Sequence, residues 1–284
     1  MIIAVNFRTS RLPDALVWVK ACRRMTSLEA DPQELRPPAA SRNAWIRAWI
    51  GLRFAVLGLL AVLAGLMVFD TIANPVSTLM LARWLTGQKV ERVAVPLEKI
   101  SPWLTLAVIA SEDARFCLHS GVDWRALRSV ATQVKNGGLA RGASTIDMQT
   151  VKNLFLFPGR SVLRKALEIP LTLTLNIVWS KPRILGAYLN VAEWGDGLFG
   201  AEAAARSYFH KSAAALTPRE AALLAAALPD PLKRNPGRPG PAYARLSGNV
   251  LARMASGAAP TGCVNGPRSR PALRPDDRRS GHRP

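Results

Sequence analysis

Val108 to Trp124 reads VIASEDARFCLHSGVDW and sets an acidic pair, Glu112-Asp113, at the end of the apolar run Leu104 to Ala110. Ser101 offers an N-cap and Pro102 an N1 residue, so a helix is expected to run from there into Glu112. An acidic pair most often sits on a solvated helix face. Here it follows apolar residues, which suggests a helix ending inside a cleft, where partial burial tunes a carboxylate as a base.

Outward from this stretch the chain is punctuated by helix signals. Asp123 caps a helix over Trp124 to Lys135, closed by Asn136-Gly137-Gly138. Ser144, with Asp147 three residues on, has capping-box spacing, and Ser161 opens a helix running through Trp179. Thr217-Pro218-Arg219-Glu220 combines a cap, a proline at N1 and an acid at N3, and Pro229 ends that helix. Pro170 falls inside a helical stretch and predicts a kink close to Glu168. The one strand candidate is Arg92 to Pro96. These signals predict a mostly α domain with one main core.

The chain has 284 residues, of which 49% are hydrophobic, and a net charge of +19. A surplus of that size suits a polyanionic partner: nucleic acid, an anionic lipid surface or a phosphate-bearing substrate. Ala48 to Phe69 is apolar apart from Arg53 near its start. At ~1.5 Å per residue it reaches ~33 Å, enough to cross a bilayer. Arg42, Arg47 and Arg53 cluster at its N-terminal edge and Asp70 lies just past its C-terminal edge. The positive-inside rule then keeps the N-terminus in the cytoplasm and exports the chain beyond residue 70, which argues against nucleic acid. Met25 offers an alternative start within the N-terminal segment, and the Pro-, Gly- and Arg-rich residues 255–284 read as a disordered basic tail. Cys22, Cys117 and Cys263 are odd in number and far apart, so neither a disulfide framework nor a zinc site is expected, and Cys117 reads as filling a small apolar gap.

Three segments concentrate the chemistry. The first holds Glu112 to Asp123. The second, GASTIDMQ (142–149), suits a tight turn into a helix N-terminus, whose free N–H groups attract anions. The third, RKALE (164–168), places Arg164, Lys165 and Glu168 near one helix face, where a plain intrahelical salt bridge is the simplest reading. Lys152, Lys181 and Arg183 add further cations. Together these supply a carboxylate base, cations for a departing diphosphate and a second acid to orient them, beside a membrane.

These residues also carry a resemblance. EDARFCLHSGVD is similar to the pattern EDxxFxxHxGxD. GASTIDMQTVKNLFLFPGRSVLRKALE resembles G[GA]ST[IL]xxQ, KNLFL and RKxxE in that order. SKPRILGAYLNVAEWGDGLFGAEAAARSYF and LTPREAALLAAALPDP resemble the next two segments. The chain is identified over about residues 93–254 as similar to the peptidoglycan glycosyltransferases, glycosyltransferase family 51, and to their monofunctional members rather than the bifunctional penicillin-binding proteins.

The resemblance implies a mostly α fold with a lysozyme-like large lobe and a small membrane-proximal jaw lobe, preceded by one transmembrane helix. The organisation it implies is a cytoplasmic segment (1–47), the span (48–69), a membrane-proximal linker (70–92), the glycosyltransferase domain (93–254) and the tail (255–284). It implies polymerisation of lipid II onto a nascent glycan strand at the outer face of a bacterial cytoplasmic membrane, alongside cell-wall synthesis and division proteins. Glu112 matches the general base and Glu168 the second acid. Arg164 and Lys165 match the pair facing the donor diphosphate. Ser144, Thr145, Gln149, Lys152 and Asn153 match the donor cleft, and Asp113, Phe116, His119 and Asn190 match positions that shape or support the site. No fixed metal site is implied, but a divalent ion, magnesium or manganese, is admitted near Glu168 with the substrate diphosphate. The chain departs from the family at Asp147-Met148, where a Thr or Ser and then Gln are usual, and at Pro170 and Asn176, where a helix former and a Glu are usual. Asp147 thus adds a negative charge near an expected anion site. The competing readings are a catalytically weak membrane-anchored scaffold and a glycan hydrolase. The hydrolase needs two carboxylates flanking one bond and has less use for the Arg164-Lys165 pair.

Overall fold

A computed structural model of the chain describes residues 39–138, 142–157, 159 and 162–265. The early N-terminal segment with Met25 and Cys22, the Ser161 cap and the last nineteen residues of the tail lie outside the described residues. The chain divides into two compact units, Met1–Ala61 and Val62–Pro284.

Helix α1 (Ala39–Phe69) begins in the first unit and ends in the second. Its stretch Ala44–Phe69 is long and apolar enough to cross a membrane, and only 6% of its most apolar window is buried. Trp49, Phe54 and Leu59 stand exposed. A core helix would hide such residues, so this surface calls for an apolar solvent. Within the second unit the helix end is fastened. Met67 is buried and its carbonyl accepts a bond from the Trp179 indole N–H at 2.8 Å. The Arg183 guanidinium donates to the carbonyls of Asp70 and Ala73. The Met67 carbonyl, in the last turn of the helix, and two carbonyls just past its end are thereby satisfied.

The core of the second unit forms around α3 (Pro102–Glu112). Leu104 to Ala110 are each at most 2% exposed, so the helix is enclosed on every side. Helices α9 (Pro218–Ala227) and α10 (Pro241–Ser256) pack against it, and the alanines of α9 allow a close approach. A second group joins α5 (Ile146–Phe155) to α6 (Val162–Val178) and α7 (Lys181–Val191), with α2 (Thr78–Leu85) resting on α5. Helix α4 (Trp124–Lys135) starts at Asp123, which accepts from the N–H groups of Arg125 and Ala126 as its sequence predicts. Thr217 and Glu220 close the expected capping box on α9. A small sheet has the order β1 (Glu91–Arg92), β3 (Leu198–Phe199), β2 (Glu193–Gly195). β1 pairs parallel to β3, β2 antiparallel, and α8 (Ala201–Phe209) comes next in the chain.

Four local expectations change. The strand foreseen at 92–96 is only Glu91–Arg92, because the next residues turn toward the 3-10 turn Leu97–Lys99. Thr145, not Ser144, caps α5, accepting from Met148 N–H at 3.1 Å, so no capping box forms with Asp147. Pro170 sits inside α6, where the hydroxyls of Thr172 and Thr174 donate back to the carbonyls of Glu168 and Pro170. Residues 255–265 are structured rather than part of a disordered tail. After Gly257, in the left-handed conformation, the chain packs Ala259 and Thr261 and forms the short helix α11 (Gly262–Asn265). Cys263 there bonds to Cys117, which corrects the reading of these cysteines as unpaired.

Candidate active site

Glu112 is the last residue of α3, so the buried helix delivers its carboxylate to the edge of the core. There it lines a cavity of about 470 Å³ with Asp113, Arg115, Ser144, Thr145 and Arg253. Gln149, one turn into α5, donates from Nε2 to Glu112 Oε2 at 3.1 Å. The Tyr188 hydroxyl on α7 donates to Gln149 Oε1 at 2.9 Å. That bond assigns the amide oxygen and points the amide nitrogen at the carboxylate. Ser111 adds a longer bond to Oε1 at 3.3 Å.

Burial pushes the Glu112 pKa above the usual carboxylate value. The bonds from Gln149 and Ser111 and the charges of Lys152 and Arg234 pull the other way. Lys152 is itself held below the ordinary lysine value by burial, and it feels Glu168, Arg164, Lys165 and Glu112. It therefore stands in the field of both acids.

Asp113 points away from this work. His119 Nε2 lies 3.0 Å from its Oδ2, and the N–H of Ile146 donates to the same oxygen at 3.1 Å. Asp113 thus joins the end of α3 to the start of α5. Thr145 donates to the Gly121 carbonyl at 2.5 Å, tying the same two segments again. Gly121 has φ 93°, and a Cβ there would meet the Asn176 amide at 2.7 Å, so both conformation and space demand glycine. Phe116 is fully buried, edge-on to His119 and beneath the Lys181 ammonium, 4.3 Å from its ring centre.

The basic cluster is built on α6. Glu168 is 3% exposed and accepts from Arg164 at 2.8 Å and Lys165 at 2.6 Å. This is more than a solvated intrahelical bridge, because Lys165 also reaches the Ser144 hydroxyl at 3.1 Å. Ser144 lines the Glu112 cavity, so the cluster adjoins it. Asn190 goes elsewhere: its side chain bonds both backbone groups of Val95 and lines a second cavity. The Asn153 carbonyl accepts a bond from Thr78.

A transglycosylase family model matches residues 78–255. Biosynthetic peptidoglycan transglycosylases are similar over most of the chain. The protein of Rhodopseudomonas palustris (strain HaA2) is 52% identical over 210 residues, covering 72% of this chain and 92% of its own. That of Agrobacterium fabrum (strain C58 / ATCC 33970) is 52% identical over 191 residues, covering 67% and 84%. That of Nitrobacter winogradskyi is 48% identical over 219 residues, covering 77% and 96%. This chain belongs to the transglycosylase family.

In this transglycosylase the departure at Asp147 falls in the first turn of α5, with its carboxylate turned into the fold. Asp147 is 0% exposed and accepts from Lys181 Nζ and Asn176 Nδ2, each at 2.8 Å. Burial raises its pKa while Lys181 and Asn176 lower it. Asp147 and Asn176, both unusual against the family pattern, are therefore partners, and Lys181 balances the charge. The carboxylates of Asp113 and Asp147 and the His119 ring each place one ligand atom within 4.8 Å of the others. Lys181 and Asn176 both donate to Asp147 Oδ1, and His119 Nε2 and the Ile146 N–H hold Asp113, while Asp147 Oδ2 and His119 Nδ1 are buried with no hydrogen-bond partner among the described residues. At Glu168 each carboxylate oxygen instead faces a cation.

Tyr188 lies within the SKPRILGAYLN segment with no role expected of it, and Arg234 and Arg253 lie near the site with no role foreseen for them. A tyrosine on the apolar face of α7 is the one usable signal, since a buried hydroxyl needs a partner. The two arginines enter from distant segments, with no local pattern to mark them.

Proposed function

We propose that this transglycosylase is a peptidoglycan glycosyltransferase that polymerises lipid II into glycan strands, with Glu112 as general base. Its carboxylate takes the proton from the 4-hydroxyl of the incoming lipid II. The hydroxyl oxygen bonds to the anomeric carbon of the donor sugar as the bond to the lipid diphosphate breaks, with inversion. Arg164 and Lys165, held by Glu168, receive the charge of the departing diphosphate, and Lys152 adds to that field. Ser144, Thr145 and Gln149 line the donor side of the cleft, and Asp113, Phe116 and His119 brace it. Magnesium or manganese enters only with the substrate's diphosphate. The observation that carries this reading is a partly buried carboxylate of raised proton affinity, aligned by neutral donors beside a cationic cluster.

The same reading places the N-terminus in the cytoplasm, the span at 48–69 and the domain at 93–254 on the outer face of the membrane. Arg42, Arg47 and Arg53 before the span support that orientation, as does the Cys117–Cys263 disulfide, which suits an oxidising compartment. The test is polymerisation of labelled lipid II by detergent-purified protein, wild type beside Glu112→Gln. Strands from the wild type alone are expected. A folded wild type that binds lipid II and makes none would sink the assignment and favour a scaffold.

A further inference from the structure

The C-terminal strap, Gly257 to Val264, lies beyond the segment that the family model matches, yet it builds part of the catalytic cavity. Ala258 and Ala259 line that cavity together with Ser111, Glu112 and Ala114. One end of the strap leaves α10 at Gly257, and the other is α11, which packs on α7 and on the 3-10 turn Phe116–Leu118. Cys117 sits in that turn, two residues after the cavity-lining Arg115, and it bonds Cys263 across 146 residues of sequence. Phe116, beside it, carries the Lys181 contact, and His119 holds Asp113. The disulfide therefore joins two walls of one cavity. Beyond it, the strap is held by the burial of Ala259 and Thr261 and by one turn of backbone bonding, Val264 N–H to the Thr261 carbonyl.

We propose that Cys117–Cys263 is a redox-modified site that latches the C-terminal strap as a wall of the catalytic cleft, so that the oxidised enzyme has a formed cleft and the reduced enzyme an open one. The inference deepens the proposed transferase reading and rests on it for the consequence in catalysis, but the latch is measurable without turnover. Closure takes two electrons and two protons from the two thiols. They pass to a disulfide oxidant, in vitro oxidised glutathione, which leaves as two reduced molecules. Dithiothreitol reverses the reaction and ends as its own cyclic disulfide.

The experiment uses the full chain in detergent. Free thiols are first trapped by alkylation in intact cells and counted by mass spectrometry. Cys117 and Cys263 are expected protected, and alkylation of both would overturn the proposal. Amide hydrogen exchange is then measured in oxidised, dithiothreitol-reduced and Cys117→Ser/Cys263→Ser protein. Exchange at 258–265 is expected to rise by about tenfold or more on losing the bond, with α3 unchanged. Equal exchange in all three would sink the latch whether or not strands are made. With lipid II, the reduced protein is expected to show a raised KM that re-oxidation restores. Ala258→Trp keeps the disulfide and places bulk on the cavity wall, so it too is expected to raise KM. An Ala258→Trp protein with wild-type KM and kcat would overturn the strap as a wall of the working cleft. If neither redox form of the wild type makes strands, the transferase reading fails, while the exchange data still decide the latch.

Discussion

Glu112 and Asp147 are two carboxylates whose proton affinity is raised by the same cause, burial, and they meet different partners. Asp147 touches an ammonium and an amide at 2.8 Å, so its charge is neutralised inside the fold. Among the described residues, Glu112 accepts from neutral donors, Gln149 and Ser111, and feels Lys152 and Arg234 through space. A charge held by a contact cation is structural. A charge aligned by neutral groups and faced by a cavity remains able to take a proton. Asp147 is fully enclosed and Glu112 only partly, so the kind of partner and access to the cavity both set the two carboxylates apart.

The strongest way to break this comparison is to neutralise each acid in turn. Glu112→Gln is expected to lower the polymerisation rate by ~10³-fold, with no fall in Tm. The fold penalises ionised Glu112, so its folded pKa lies above its unfolded one. Stability therefore falls as pH rises from the ordinary carboxylate value through the raised one, and the glutamine variant should lose that slope. A Tm loss comparable to that of the next variant would make Glu112 a brace. Asp147→Ala is expected to cost about 3 kcal/mol in chemical denaturation, because it strands the mostly buried Lys181 ammonium. Unchanged stability would show that Asp147 is not the brace.

Smaller effects sharpen the same contrast. Tyr188→Phe leaves the Gln149 oxygen without its donor and is expected to cost about 1 kcal/mol, read as a several-fold lower kcat at near-normal KM. An effect confined to KM would assign Tyr188 to binding. Lys152→Met removes a charge that pulls Glu112 down, so the acid limb of the rate profile should move to higher pH. The base works ionised, and activity is lost as pH falls through its raised pKa. An unmoved limb in the pH–rate profile would mean that Glu112 is not the group titrated. Arg234→Met should shift the limb in the same direction by less, since its charge contributes less.

The amino-acid order by itself determined the features that depend on near neighbours. The helix long and apolar enough to cross a membrane comes from an apolar run with Arg53 near its start, and the caps at Asp123 and Thr217 from side chains reaching N–H groups within three residues. The RKALE cluster comes from helical spacing, and the ordered motifs around Glu112 and Glu168 place the family. Ser144 and Thr145 are too similar in chemistry for the local sequence to choose the cap, and packing against Gly121 decided it. The tertiary structure alone decided the pairings between distant segments. The Asp147 charge meets Lys181 and Asn176, Tyr188 meets Gln149, and Cys117 meets Cys263 across 146 residues. Caps and turns act over a few bonds, where composition limits the partners. Contacts between helices depend on how those helices pack, and no residue carries that information locally.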